Sequence, residues 1–311
     1  MNVAARWVRF WFSPIPTHSY ALLRILFGLL GCGTLLGVSD ISTFWALDGL
    51  VPAADESSIR ALVLSAGLQD VAPIGLYIVS VAVLIAMTVG FRTGTAVTLS
   101  LAAMLAHLSW NNLPLSGAES LVTMVVFCLM WADCGSVWSV DAWLQRRTPG
   151  NSIAASPYAI APLRLIQCQI ALLYLSTGLW KLANPLWRDG SALHYILNAN
   201  VFHRFPVATS PAWEWLLTCA TYVTLLWELA FAFALPFRTT RRIVLIVGVL
   251  MHLGMIAALE IGPFSLVMLS SYVAFLDPRR VAELPTTVVR GARRPRALLR
   301  ARSIDHAPFI R

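Results

Sequence analysis

Lys181 is the residue of this chain that is best suited to carry chemistry. It is the only lysine among the 23 basic side chains, and it lies at the end of a long apolar segment. An ammonium at such a depth is costly unless it is solvated, paired or used. Unlike arginine, a desolvated lysine can lose its proton and act as a base. The alternative is a structural lysine whose apolar stem extends toward the membrane interface.

A helix over residues 161–182 would place several polar residues on one face with Lys181, because they recur at intervals of three and four. Polar groups on a spanning helix normally face the interior of the bundle. We therefore expect Tyr174 to line a pocket with Lys181. Gly178, between them, either opens room for a flat ligand or lets a neighbouring helix approach closely. The full face consists of Arg164, Gln167, Ala171, Tyr174, Gly178 and Lys181.

A second polar group closes the apolar segment 93–110, which ends in Trp110, Asn111 and Asn112. The two asparagines either cap the helix and turn the chain, or hydrogen-bond an amine or a quinone oxygen. We predict that Asn111 or Asn112 lies within hydrogen-bond or one-water reach of Lys181. Trp110 and Tyr174 are expected to line the same pocket.

Two further polar residues lie inside apolar segments. His252 falls in the middle of a predicted helix, where a helix-to-helix hydrogen bond is a commoner role than ligand binding. Glu228 is a carboxylate in an apolar run and needs a proton or a partner. Neither they nor the five cysteines show metal-ligand, haem or catalytic-triad spacing. We therefore expect no metal and no disulfide framework.

The composition predicts an all-α, polytopic integral membrane protein. The chain is 58% hydrophobic and 12% charged, and its mean hydropathy is +0.71. Such values lie outside the range of soluble proteins. Eight apolar runs approach the roughly 20 residues that cross a bilayer. They span residues 18–38, 73–91, 93–110, 116–136, 161–182, 213–236, 241–260 and 262–277.

The arginines predict the orientation of these spans. With eight spans, most of them fall on one side, and the positive-inside rule places both termini in the cytoplasm. Residues 39–72 and 183–212 then lie outside, together with Lys181. The cytoplasmic set comprises Arg6, Arg9, Arg92, Arg146, Arg147, Arg238, Arg241, Arg242 and the basic tail.

Three regions follow from this distribution. Residues 1–17 form an interfacial segment rich in aromatic and basic side chains. Residues 18–277 form the transmembrane domain. Residues 278–311 form a basic, disordered cytoplasmic tail, for which anionic membrane lipids are a better partner than nucleic acid.

Several motifs, taken together, resemble the transmembrane domain of the vitamin K-dependent gamma-glutamyl carboxylase and the wider HTTM family built on it. The resemblance covers roughly residues 15–280 and follows the family order. Its most specific parts are the Ser-Trp-Asn-Asn and Gly-x-x-Lys-Leu pieces. The matching pieces are Leu23-Arg24-Ile-Leu-Phe-Gly28, Ser109-Trp110-Asn111-Asn112, Trp138-Ser139-Val140-Asp141, Leu163-Arg164 through Tyr174, Gly178 and Lys181-Leu182 to Trp187 and Gly190, and His252 with Ile261-Gly262-Pro-Phe264-Ser265 and Met268.

The resemblance implies a carboxylase-like (lyase) enzyme that uses reduced vitamin K or menaquinol. The lysine that matches Lys181 is taken as the base that deprotonates the quinol, which requires a neutral amine in a dry pocket. We accordingly expect no carboxylate in direct contact with Lys181. The residues expected to bind the quinone are Trp110, Asn111, Asn112, Tyr174, Gly178 and His252.

Three departures from the family leave a second function open. Trp180 replaces a second lysine, and Leu113 replaces the histidine thought to assist the base. The carboxylase also carries a lumenal domain where this chain has its basic tail. The smaller family members include bacterial proteins that mature or export toxin peptides. We therefore expect an exported peptide as substrate, presented by an accessory protein; the alternative is a non-enzymatic partner or immunity factor for such a peptide. A transporter is disfavoured, since no inverted repeat is found.

Overall fold

The computed structural model describes residues 2–37, 65–67, 72–110, 117–147, 157–202, 204–205 and 210–284. Within them the chain is α-helical apart from one antiparallel strand pair, β1 (Pro14–Ile15) with β2 (Tyr158–Ala159). The helices are α1 (Val3–Phe12), α2 (His18–Leu36), α3 (Ala72–Val89), α4 (Thr93–Trp110), α5 (Ala118–Met130), α6 (Val140–Arg147), α7 (Ala161–Ala183), α8 (Pro185–Arg188), α9 (Ala192–Asn198), α10 (Pro211–Ala234), α11 (Arg238–Ala258) and α12 (Phe264–Ser271), followed by a 3-10 turn (Tyr272–Phe275).

Each of the eight predicted apolar runs contains a helix, so the all-α fold is confirmed. Within the described ranges, three helices, α2, α10 and α11, are long and apolar enough to cross a membrane. Shorter apolar helices cover 74–89, 93–109, 118–130 and 264–275. The structure thus supports a membrane protein, whereas the count of eight spans stays a prediction. Of the predicted tail, residues 278–284 are helical and the remainder lies outside the described residues.

The amino-terminal ends of α2 and α7 meet on one side of the bundle. The Tyr20 hydroxyl donates to the Ala159 carbonyl at 2.6 Å, and the Ile160 N–H donates to the Ser13 carbonyl at 3.0 Å. The exposed helix α1 lies beside them, with the Phe10 ring 4.6 Å from the Arg164 guanidinium carbon. The two helices therefore run in the same direction, which places Lys181 at the opposite end of the bundle.

Arg24 ties three segments together at that amino-terminal side. Its side chain is fully buried and donates to the carbonyls of Met87 at 2.7 Å, Thr88 at 2.8 Å and Trp138 at 2.6 Å. Gly90, whose φ is +73°, passes so close to the guanidinium that a side chain there would overlap it. Two of the motif pieces therefore have a structural role, because charge-assisted hydrogen bonds of this kind fix backbone positions.

Asp141 closes the same region by capping α4. Its carboxylate accepts the backbone N–H groups of Arg92 at 2.8 Å and Thr93 at 2.7 Å, and the Thr93 hydroxyl at 2.7 Å. Partial burial acts to raise the pKa of Asp141, but these hydrogen bonds and the charge of Arg24 outweigh it and hold the pKa below its ordinary value. The carboxylate thus neutralises the amino-terminal end of α4.

Helix α7 ends shortly after Lys181 for a local reason. Asn184 takes an extended conformation, with φ −84° and ψ 129°, as is favoured for a residue that precedes proline. Its side chain then accepts the N–H of Leu186 and begins α8, with Pro185 in the first turn. The chain therefore turns away just beyond Lys181 and can fold back against α10.

Candidate functional site

Lys181 forms an ion pair with Glu228 of α10. The Nζ atom lies 2.7 Å from each of the two carboxylate oxygens. The Lys181 side chain is 25% exposed and that of Glu228 is 8% exposed. The prediction that no carboxylate would contact the amine is therefore wrong. Glu228 lies in an otherwise apolar stretch. A buried carboxylate charge without the Lys181 cation would strongly destabilise the folded protein.

The crossing of α7 and α10 brings the pair together. Gly178 lies at that crossing, where an added Cβ would be 3.1 Å from the Leu229 nitrogen and 3.2 Å from the Glu228 Cβ. The structure thus favours the helix-contact alternative for Gly178, since the space above its Cα is filled by α10. Trp180, at the position where the resemblance implies a second lysine, is 82% exposed and faces away from the bundle.

Trp187 forms a wall beside the ion pair. Its ring centroid lies 5.1 Å from the Lys181 Nζ, a distance at which a cation is attracted to an indole face. The segment that carries Trp187 is held against α10, because the Tyr222 hydroxyl donates to the Arg188 carbonyl at 3.0 Å. Gly190, with φ +83°, allows the turn that presses against the Tyr222 ring.

Tyr174 and His252 belong to a buried network two helical turns before Lys181. The Tyr174 hydroxyl lies 2.8 Å from the His252 Nε2 and 2.7 Å from the Tyr272 hydroxyl. The His252 Nδ1 lies 3.4 Å from the Ser265 hydroxyl. His252 therefore makes the helix-to-helix hydrogen bond that its position favours. Trp227, next to Glu228 on α10, packs its ring 4.6 Å from that of Tyr174.

The predicted partners of Lys181 from the end of α4 are Trp110, Asn111 and Asn112. The side chain of Trp110 and residues 111–116 lie outside the described residues, so the predicted contact between the asparagines and Lys181 stays a prediction. The described part of the site consists of Lys181, Glu228 and Trp187. The sequence signalled Glu228 only as a carboxylate in need of a partner, and Trp187 only as part of a motif.

Two other features of the described residues carry no assigned chemistry. No cluster of three or more His, Cys, Asp or Glu side chains within them is placed to hold a metal ion. A pocket of about 410 Å³ lies at the amino-terminal end of α4, lined in part by Thr93, Cys134 and Asp141. Its Asp141 carboxylate is already engaged by the α4 N–H groups, and the pocket is remote from Lys181.

Comparison with known proteins identifies the family. The model of the HTTM domain matches residues 12–279, which is most of the chain. The chain belongs to the HTTM family. This HTTM protein is 23% identical over 177 residues to the sporulation-delaying protein SdpB of Bacillus subtilis (strain 168), covering 54% of this chain and 53% of SdpB. It is 27% identical over 220 residues to the uncharacterized protein YitO of the same organism, covering 64% of this chain and 66% of YitO.

These relatives are matched over only part of their length. The chain spans about half of SdpB and just under two thirds of YitO. No solved structure matches the chain. Family membership therefore rests on the domain match.

Proposed function

We propose that this HTTM protein binds a quinol at the Lys181 end of its helical bundle and uses it in the maturation of an exported peptide. The observation that carries the proposal is the Lys181–Glu228 pair, a polar site held between two apolar helices beside an aromatic ring. A partly buried ionisable pair of this kind is a candidate for proton transfer.

We further propose that the chain crosses the membrane eight times with both termini in the cytoplasm. The convergence of the α2 and α7 amino-terminal ends supports this topology, because both spans must then run outward. The arginines within α1 and in the first turns of α11 agree with it. Lys181 then faces the outer side, where an exported peptide and an accessory protein have access.

The described residues fit a quinol head group at one edge. Lys181 retains exposed surface for a hydroxyl, and the Trp187 ring offers an aromatic contact. Tyr174 and Gly178 are engaged within the protein, so Trp110, Asn111 and Asn112 are proposed as the opposite wall. A bound reduced vitamin K or menaquinol would supply a weakly acidic hydroxyl and reducing equivalents. Lys181 orients that hydroxyl and moves its proton, and Trp187 excludes water.

One observation favours the alternative of a non-enzymatic partner or immunity factor. In the structure the Lys181 ammonium is neutralised by a carboxylate, and Tyr174 and His252 satisfy one another. Such an arrangement also suits a purely structural core. In that case Lys181 would hold α7 against α10 and bind no quinone.

Retention of quinone by the purified protein tests the proposal. Wild type, Lys181→Met and Arg188→Met are purified from menaquinone-containing membranes, and their lipids are extracted and identified by mass. Wild type and Arg188→Met, which removes a neighbouring exposed cation, should carry quinone. Lys181→Met should carry several-fold less per mole of protein. Equal quinone in all three, or none in wild type, would support the non-enzymatic alternative.

A further inference from the structure

We propose that Glu228 is the proton acceptor of the site and that Lys181 relays the proton to it. This inference rests on the proposed function and concerns how the pair divides the chemistry. It starts from the geometry of the contact, in which one Nζ faces both carboxylate oxygens at 2.7 Å. Two such hydrogen bonds from an ammonium favour the charged form of a carboxylate and oppose the effect of burial.

The pair has two protonation states of zero net charge. In the first, Lys181 is an ammonium and Glu228 a carboxylate; in the second, both are neutral. A neutral amine beside a charged carboxylate would leave an unpaired charge in a site where Glu228 is 8% exposed. In the ion-paired state the lysine has no lone pair, so the basic atoms of the pair are the Glu228 oxygens.

Accessibility decides which member of the pair meets the ligand. Lys181 is 25% exposed, whereas Glu228 lies deeper at the crossing of the helices. A ligand hydroxyl therefore meets Nζ first. Nζ first passes a proton to Glu228, so that an N–H bond breaks as an O–H bond forms on the carboxylate, and Nζ gains a lone pair. The neutral amine then takes the ligand proton, so that the O–H bond of the ligand breaks as a new N–H bond forms on Nζ. Lys181 keeps three protons, Glu228 becomes neutral, and the ligand anion pairs with the ammonium.

This relay keeps the total charge of the site at zero throughout. Before transfer the ammonium is paired with the carboxylate, and afterwards it is paired with the ligand anion. In a site of low dielectric constant, conserving a pair in this way avoids the cost of an isolated charge. Because the carboxylate is the final proton acceptor, Lys181 can receive a proton from a weak acid without being neutral in the resting site.

Infrared spectroscopy tests the resting state without any ligand. Spectra of wild type and Glu228→Gln are compared at neutral pH in the region of the carboxylic acid C=O stretch. We expect no acid band that depends on Glu228 in wild type, because the residue is ionised. In Lys181→Met the band should appear, and in the double variant Lys181→Met/Glu228→Gln it should be absent. A Glu228-dependent acid band in wild type would mean a neutral amine and would overturn the relay.

Oxidation of menadiol by dissolved oxygen, which is reduced to hydrogen peroxide, supplies the second test when it is followed with the protein in membranes. Glu228→Gln should lower the rate by a factor on the order of 100 or more, since the amide cannot accept the proton. Glu228→Asp should restore part of the rate, and Glu214→Gln, at an exposed glutamate of the same helix, should leave it unchanged. If wild type and Glu228→Gln are equally active, the relay is contradicted and the proposed quinol-binding function is not. If wild type itself does not oxidise menadiol, the proposed function falls, and the relay with it.

Discussion

At the scale of single residues, the choice of lysine at position 181 separates a chemical from a structural role. Arginine can also bridge both oxygens of Glu228, and it does so with a planar fork. It stays protonated, however, and cannot take up and pass on a proton in the way that lysine can. A site that only needs a cation would accept either residue.

Lys181→Arg should therefore retain abundance in the membrane and lose activity. We expect the ion pair with Glu228 to be preserved, so the variant should accumulate like wild type. Quinol oxidation or peptide maturation should fall by a factor on the order of 100 or more. Abundance is measured by immunoblotting of membranes, and activity is expressed per mole of protein. Full activity of Lys181→Arg would contradict proton transfer by Lys181 and would support a purely structural role for this residue.

The sequence identified one member of this pair and left the other without a role. Lys181 was found because it is the only lysine and matches a family motif. Its contact with Glu228 joins residues that are 47 positions apart, and it depends on where α7 crosses α10. Gly178 indicates where α7 can be approached closely, but nothing in the local pattern identifies α10 as the neighbour, so the prediction that no carboxylate contacts Lys181 failed.

At the scale of helices, the crossing of α7 and α10 depends on the absence of a side chain at position 178. The α10 backbone nitrogen at Leu229 lies 3.1 Å from the place where a Cβ would be. Contact this close is possible only with glycine unless α10 moves outward. Lys181 and Glu228 lie within one turn of the contact, so such a movement would reach the ion pair directly.

Gly178→Ala should destabilise the protein, whereas Gly254→Ala should not. Overpacking a close helix contact costs about 1–3 kcal/mol, which exceeds the gain in helix propensity of up to about 1 kcal/mol. Gly254 lies in α11 with open space around its Cα and provides the matched control. Thermal unfolding in detergent, followed by near-ultraviolet circular dichroism, measures both. Equal midpoints for the two variants would contradict a tight crossing at Gly178.

Long apolar helices were predicted at their observed places, whereas the short ones were not. The bounds of α2, α4 and α7 follow from continuous apolar runs and agree with the sequence to within about two residues. Helices α8 and α9 have too few residues for a periodic pattern, and they are held by contacts with α10 such as the one between Tyr222 and Arg188. Local sequence therefore carries little information about them.

At the scale of the whole molecule, orientation decides which compartment supplies the substrate. The arginine asymmetry predicts that residues 39–72 and 183–212 lie outside and that Arg146 lies inside. The common direction of α2 and α7 in the bundle agrees with the three crossings predicted between them, by α3, α4 and α5. A reversed orientation would present Lys181 to the cytoplasm and remove the case for an exported substrate.

Labelling of single cysteines measures this orientation. In a background without the five native cysteines, Asp55→Cys and Asn200→Cys should react with a membrane-impermeant maleimide in intact cells. Arg146→Cys should react only after the membrane is opened. Protection of both outer positions in intact cells would contradict the proposed topology. Reaction of all three positions would indicate that the cells are leaky, and labelling of a cytoplasmic marker protein serves as the control for this.

The buried guanidinium of Arg24 has a consequence for the biogenesis of the protein. Its carbonyl partners lie 63, 64 and 114 residues further along the chain, so none exists when the first span leaves the ribosome. At ~5–20 residues per second, the last partner follows after a delay on the order of ten seconds. An arginine within a span costs about 2.5–3.5 kcal/mol during insertion. We therefore expect the first span to wait beside the translocon until the later segments arrive, so that the amino-terminal half of the protein enters the membrane as one unit.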